Sequence, residues 1–304
     1  MQKGGKKVKK TVLAIILSLI VIVAAGCDSY VFEPTGQYIV TAKDALALMN
    51  NGAIMVDVQA PEEYNSAHVE GAVNIPMSAL VVNEPYSNML PPAKQIEDVL
   101  GASGIKETDS ILLYDDNANM QAARVQWTLN MYNNFNVKVV SGGLKALKEA
   151  GAKTSAENTV LPETAYTAGE KQESLLVSLE DIKAILNQPD KKTVIIDTRS
   201  DEEFAEGTIP GSVHIEYTWN NYPSGDYKIP MDIQSTYLEQ DISPDMKLIL
   251  FCKTSVRAAQ TYAALKDAGY KDVRVYDGAW LEYSDVEKPQ APSGSPEPSK
   301  QDAS

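Results

Sequence analysis

The feature that most limits what this chain can fold into is its internal repetition. AIMVDVQAPEEY (53–64) recurs as TVIIDTRSDEEF (193–204), and HVEGAVNI (68–75) as TIPGSVHI (208–215). SILLYDDNANMQAARVQWTL (110–129) recurs as KLILFCKTSVRAAQTYAAL (247–265), and VKVVSGG (137–143) as VRVYDGA (273–279). The offset is 140 residues at Asp57/Asp197, 137 at Asp115/Cys252 and 136 at Gly142/Gly278. Four blocks in one order at a nearly constant offset indicate a duplicated domain. Whatever fold one half takes, the other shares.

Each copy alternates two patterns. Short β-branched runs such as TVIID and KLILF lack polar alternation, as strands buried on both faces do. Helical patterns lie between them. TAKDALALMNNG (41–52) opens on Thr41 with Asp44 three residues on and closes on Gly52. VSLEDIKAILNQPD (177–190) opens on Ser178 with Asp181 three residues on and closes before Pro189. Both starts are close to capping boxes. RAAQTYAALKDAGY (257–270) places apolar residues at 258, 259, 262, 263 and 265 and stops at Gly269, a good helix terminator. The alternation predicts an α/β fold with two tandem domains, each a mostly parallel sheet flanked by helices. The expected boundaries are 1–26 for a leader, 27–36 for a tether and 37–150 for the first domain. An aperiodic linker follows at 151–175, then the second domain at 176–286 and a disordered Pro- and Ser-rich tail at 287–304.

Composition bears on location. A net charge of −14 argues against binding nucleic acid through bulk charge. The N-terminus is the basic exception: five lysines between positions 3 and 10 precede an apolar run at 12–25, then Ala24, Ala25, Gly26 and Cys27. This order predicts a secretory signal peptide. The apolar run is short for a helix crossing about 30 Å of hydrocarbon. Small residues followed by cysteine resemble the bacterial lipobox. That resemblance implies that Cys27 is diacylated, with palmitate-type chains, and becomes the first mature residue. The protein is then expected outside the cell, lipid-anchored to the outer face of the membrane, with its net charge moved from −14 to −19 by loss of the five lysines. The chain has two cysteines. With Cys27 acylated, Cys252 has no intrachain partner in a compartment that permits disulfides, which marks it as reactive.

Cys252 ends the strand-like KLILF, and a helix is expected from Arg257 or Ala258. In such a turn, backbone N–H groups point toward the sulfur and the helix N-terminus adds partial positive charge. Lys253 and Arg257 bring two full charges. Together these favour a thiolate nucleophile beneath an anion pocket. No metal-ligand cluster and no phosphate-binding glycine loop is recognisable, so neither metal nor organic cofactor is expected.

VIIDTRSDEEFAEGTIPGSVHI, LILFCKTSVRAAQ and VRVYDGAW resemble the rhodanese family, specifically its tandem-domain sulfurtransferases, and the resemblance spans nearly all of 37–286. It implies that Cys252 takes a sulfane sulfur from thiosulfate or a related small anionic donor, becomes a persulfide, and passes the sulfur to cyanide or a thiol. Lys253, Thr254, Ser255, Val256 and Arg257 are then the loop that cradles the persulfide. The first domain is expected to be catalytically silent, because Asp115 stands in the place of Cys252, with two extra residues before its helix. Family loops commonly carry glycine where Ser255 stands; if that position needs a positive φ, serine costs about 1 kcal/mol. Lys253 resembles the thiosulfate branch rather than the 3-mercaptopyruvate branch, in which glycine usually follows the cysteine. Glu203 stands where well-known thiosulfate enzymes place an arginine.

Three other readings of Cys252 compete with this one. Cysteine-dependent phosphatases and arsenate reductases place the loop arginine six residues after the cysteine, a position that is Ala258 here. A cysteine hydrolase needs a histidine base, and His68 and His214 both read as structural. A lipid-anchored sulfur carrier or sensor without turnover is the non-enzyme alternative. Asp197 and Arg199 read mainly as a structural ion pair, with a pocket role open. Tyr217, Trp219 and Trp280 are candidates for pocket walls or for core, and Arg124, after the Asp115 loop, for packing or for the domain interface. The polar, aromatic segment 216–227 is the expected specificity loop.

Overall fold

A computed structural model describes residues 36–288. The leader, Cys27, nearly all of the tether and all but the first two residues of the tail lie outside the described residues. The first domain runs β1 (Ile39–Val40), α1 (Ala42–Asn50), β2 (Ile54–Asp57), α2 (Pro61–Ser66), β3 (His68–Val69), β4 (Val73–Asn74), α3 (Ala93–Ala102), β5 (Ile111–Tyr114), α4 (Met120–Met131), β6 (Val137–Val140) and α5 (Gly143–Glu149), with β7 (Thr154–Ser155) after it. The second runs β8 (Leu176–Val177), α6 (Leu179–Asn187), β9 (Thr193–Asp197), α7 (Asp201–Glu206), β10 (Val213–His214), α8 (Pro230–Leu238), β11 (Lys247–Phe251), α9 (Val256–Asp267), β12 (Asp272–Tyr276) and α10 (Ala279–Glu287).

Each domain holds a five-stranded parallel sheet. The strand order is β1-β6-β5-β2-β4 in the first and β8-β12-β11-β9-β10 in the second, one topology used twice. β5 and β11 are the central strands, and their buried ILLY and LILF explain why neither shows polar alternation. The helix starts follow from capping. Thr41 Oγ1 accepts from Asp44 N at 3.1 Å, and Ser178 and Asp181 close a full capping box. Gly52 and Gly269 take positive φ just past α1 and α9, as helix stops do.

α4 and α9 follow the central strands and pack on each other where the domains meet, so nearly every residue of both is buried. The segment 151–175, read as an aperiodic linker, is held along the first domain. β7 pairs antiparallel with β3, and Thr164 N donates to Gly101 O, Gly169 N to Tyr132 O and Gln172 N to Met131 O. Tyr166 is buried and its hydroxyl accepts from Asn134 Nδ2. Its aperiodicity reflects extended backbone strapped along the first domain, whose anchors are carbonyls and single side chains rather than a repeating face.

Candidate active site

Cys252 is a free thiol at the C-terminal end of β11, 1% exposed. The chain must turn from strand to helix within three residues, and it does so through Ser255, the N-cap of α9, at φ +65°. A non-glycine residue in this region carries about 1–2 kcal/mol of strain. The fully buried Ser255 hydroxyl offsets it by donating to Tyr276 O (2.9 Å) and Asp277 O (2.8 Å) at the end of β12. The first turn of α10 pins the other side of the loop: Trp280 N donates to Cys252 O at 2.9 Å and Leu281 N to Lys253 O at 3.3 Å. Ser255→Gly relieves strain and loses the hydroxyl, so a stability change within about 1 kcal/mol is expected. Ser255→Ala keeps the strain and leaves two carbonyls short of a donor, and is expected to cost about 1–2 kcal/mol. Urea denaturation checks the order; Ala milder than Gly would contradict it.

Arg257 lies in the first turn of α9, with its guanidinium close enough to the Cys252 side chain for charge and N–H to act on the sulfur. It is already paired. Nη1 donates to Glu203 Oε2 at 2.5 Å and Nη2 to Glu203 Oε1 at 2.9 Å, a bidentate fork. Glu203 is the third residue of α7, and its backbone N–H and carboxylate close a capping box with Ser200. Burial works against the Arg257 charge, but Glu203 and the Cys252 sulfur hold the guanidinium protonated more firmly than usual. In return the Arg257 hydrogen bond holds the Glu203 carboxyl at about 2. A depressed carboxyl adds stability above the ordinary carboxylate range and loses it as pH falls toward about 2.

The first domain displays the same turn with its occupant in place. Asp115, wholly buried at the end of β5, accepts from Asn117 N (2.8 Å) and Asn119 N (3.0 Å) through Oδ1 and from Ala122 N (2.8 Å) through Oδ2. Three backbone donors thus converge on the place that Cys252 takes in the other copy. Burial pushes the Asp115 carboxyl up, opposed by those N–H groups. The N-cap of α4, Asn119, has φ +63°, matching Ser255. Four positions separate Asp115 from its cap and three separate Cys252 from its own, so the first loop is longer by one residue, not by the two expected. The gap in the repeat falls at the turn, where no periodicity marks the count.

Each domain also lends a loop to the other. From the first, Asn88 Nδ2 donates to Thr254 Oγ1 at 3.1 Å, and Leu90 N donates to Asp277 Oδ2 at 2.7 Å. Arg124, fully buried on α4, donates to Asp277 Oδ1 at 2.8 Å and to Asn88 O at 2.5 Å. From the second, Gly225 O accepts from Asn119 Nδ2, Ser224 O from Lys145 Nζ, and Tyr227 N donates to Ser141 Oγ. The far end of the expected specificity loop therefore sits over the Asp115 turn, and the segment touching the Cys252 turn comes from 83–90.

A family model described as "Rhodanese-like domain" matches the chain twice, at residues 41–150 and 178–285. The chain belongs to the rhodanese family. Among curated proteins it is similar to one named "Putative thiosulfate sulfurtransferase" from Haloferax volcanii, 28% identical over 77% of this chain and 85% of the relative. A relative of the same name from Mycolicibacterium smegmatis is 27% identical over 73% and 85%. One named "Probable 3-mercaptopyruvate sulfurtransferase" from Schizosaccharomyces pombe is 28% identical over 66% and 72%. In fold, the 3-mercaptopyruvate enzyme SseA of Escherichia coli superposes with a TM-score of 0.72 at 23% identity, covering 80% of this chain and 99% of that one. An anaerobic ergothioneine biosynthesis enzyme from Chlorobium limicola gives 0.75 at 20%, covering 87% and 72%. Both solved structures share the rhodanese fold, and the curated relatives divide between two sulfur donors.

In this rhodanese, the residues singled out in the sequence separate into groups. Cys252, Thr254, Ser255, Val256 and Arg257 form one turn, with Lys253 exposed at its rim. Arg199 is committed to Asp197 by three side-chain hydrogen bonds of 2.6–3.1 Å, gives another to Gly207 O, and lies against the Trp280 ring at 4.4 Å. Trp280 thereby serves both the ion pair and the Cys252 carbonyl. Tyr217 lines a cavity of about 380 Å³ with Tyr222, Pro223 and, from the first domain, Ala118. Trp219 is 42% exposed. His68 stacks on Tyr64 in the first domain and His214 on Phe204, each bonded to a backbone carbonyl. Among the described residues no cluster suited to a metal ion occurs. Asn88 and Asp277 had no local signal in the sequence, whereas Arg124 takes the interface position that its place after the Asp115 loop left open. Ser200 did: S-D-E-E is a capping box, and it fixes Glu203.

Proposed function

We propose that the second domain is a sulfurtransferase in which Cys252 takes a sulfane sulfur from thiosulfate or a related small donor and hands it to cyanide or a thiol. The observation that carries this reading is the free Cys252 thiol placed beside the Arg257 guanidinium, within a turn pinned from both sides. In the first half-reaction the Cys252 thiolate attacks the donor's outer sulfur. A new S–S bond forms, the donor's S–S bond breaks, and its electron pair leaves with sulfite or a thiolate. In the second, the acceptor attacks the outer sulfur of the persulfide and the Cys252 thiolate leaves. Both steps are redox-balanced, and ping-pong kinetics follow. The two curated donor classes among the relatives support transferase chemistry. Acylation at Cys27 would hold the reaction outside the cytoplasm.

The test is the intact mass of the protein before and after thiosulfate, then after cyanide. A gain of about one sulfur atom (~32 Da), lost to cyanide with thiocyanate formed, is expected for a covalent transferase. One observation favours a second reading, a carrier that loads but does not turn over: Arg257 is already neutralised by Glu203. A loaded mass that neither cyanide nor thiols discharge would select it.

A further inference from the structure

We propose that Glu203 determines donor choice: as a built-in counter-anion it turns the Cys252 site away from doubly charged donors such as thiosulfate and toward hydropersulfides, R–S–SH, which bring at most one negative charge to the reacting end. The inference deepens the transferase reading and rests on it. A guanidinium offers an oxyanion its two-pronged face, and here both prongs are taken, Nη1 by Glu203 Oε2 and Nη2 by Glu203 Oε1. The carboxylate is not a loose surface group. Ser200 N and Oγ hold it and its backbone N–H at the start of α7, and its side chain is 29% exposed.

A dianion approaching the sulfur must therefore either eject Glu203 from that face or stand beside it. The other positive charges around the turn are either bound or peripheral. Arg199 is buried against Asp197, and Lys253 stands exposed at the loop rim. With a hydropersulfide this conflict is smaller, and the protonated form that reacts as the electrophile carries no charge on its outer sulfur. Sγ attacks the terminal sulfur, the Sγ–S bond forms and the donor's own S–S bond breaks. Its electron pair leaves on a single thiolate, and the proton stays with the transferred sulfur. With thiosulfate, the departing group is sulfite, a second anion released next to Glu203. Specificity of this kind is a difference between two donors set by a repulsive element.

The experiment measures second-order rates of sulfur loading on Cys252 by intact mass, with thiosulfate and with cysteine hydropersulfide. Intrinsic reactivity of the two donors differs, so the readout is how the ratio of rates responds to substitution. Glu203→Gln keeps the shape and the helix-start hydrogen bonds and removes the charge. It is expected to shift the ratio toward thiosulfate by at least about tenfold. Glu203→Asp keeps the charge and should leave the ratio within about threefold of the natural protein. Thiosulfate loading of the natural protein should also quicken with added salt, as screened repulsion does, and the Gln variant should lose that response. A ratio that Gln leaves unmoved, or that Asp and Gln move alike, overturns the proposal. Loading of Cys252 from neither donor in any of the proteins overturns the transferase reading itself, and this inference with it.

Discussion

Cys252→Ser is expected to abolish sulfur loading and to reduce turnover by at least about 10⁴-fold, the scale on which removal of a covalent nucleophile acts. The hydroxyl has the thiol's shape but not its nucleophilicity, and no general base stands by to activate it. His68 and His214 both spend a ring nitrogen on a backbone carbonyl and stack on Tyr64 and Phe204. The first domain offers no second route, because Asp115 fills its turn with a carboxylate that three backbone N–H groups already hold. At 1% exposure, the new hydroxyl costs about 1–3 kcal/mol if left unpaired, so circular dichroism at 25 °C accompanies the assay. Folded protein with thiocyanate formation above about 1% of the natural rate would mean that the sulfur travels by another path than a Cys252 persulfide.

Arg124→Met is expected to be the most destabilising single change away from Cys252. Arg124 is 0% exposed and Asp277 6%, and their contact joins the domains. Removing one partner of a buried ion pair leaves the other charge uncompensated and costs about 3–5 kcal/mol. For a unit of this size the loss lowers the melting temperature by about 10 °C. Asp277 would keep its bond from Leu90 N, and Asn88 O would lose its donor. Pairing the change with Asp277→Asn, which removes the stranded charge, should recover at least about 1 kcal/mol. Because Asn88 also holds Thr254, and Asp277 O accepts from Ser255, sulfur loading should slow in the single variant even where it remains folded. A melting temperature unchanged within a degree or two would show that the interface does not depend on this pair.

What could be read in the sequence was whatever leaves a local mark. Helix starts at Thr41 and Ser178 show themselves by a capping residue with an acid three positions on. The duplication fixed the strand order of one sheet by that of the other. The positive φ at Ser255 was signalled by the glycine that the resembling family's loops carry at that place. What stayed hidden joins residues far apart: Arg257 to Glu203 across 54 positions, Asn88 to Thr254 across 166, Arg124 to Asp277 across 153. No periodicity spans such distances. The hold of 151–175 on the first domain was hidden for a related reason, since extended chain bound through its backbone carries no repeating side-chain face. The segment 216–227 was marked by its polar, aromatic, turn-rich composition, which could not show that its near end lies along α9 while its tip reaches the other copy.

The crossed loops give this single chain the logic of a fused dimer. Each half is finished by its twin, so the two copies are not free to decay in the same way. The first carries a carboxylate where the second carries its thiol, yet 83–90 and Arg124 are part of the other half's workings. A duplication of this kind cannot be undone by deleting the half without a cysteine in its turn.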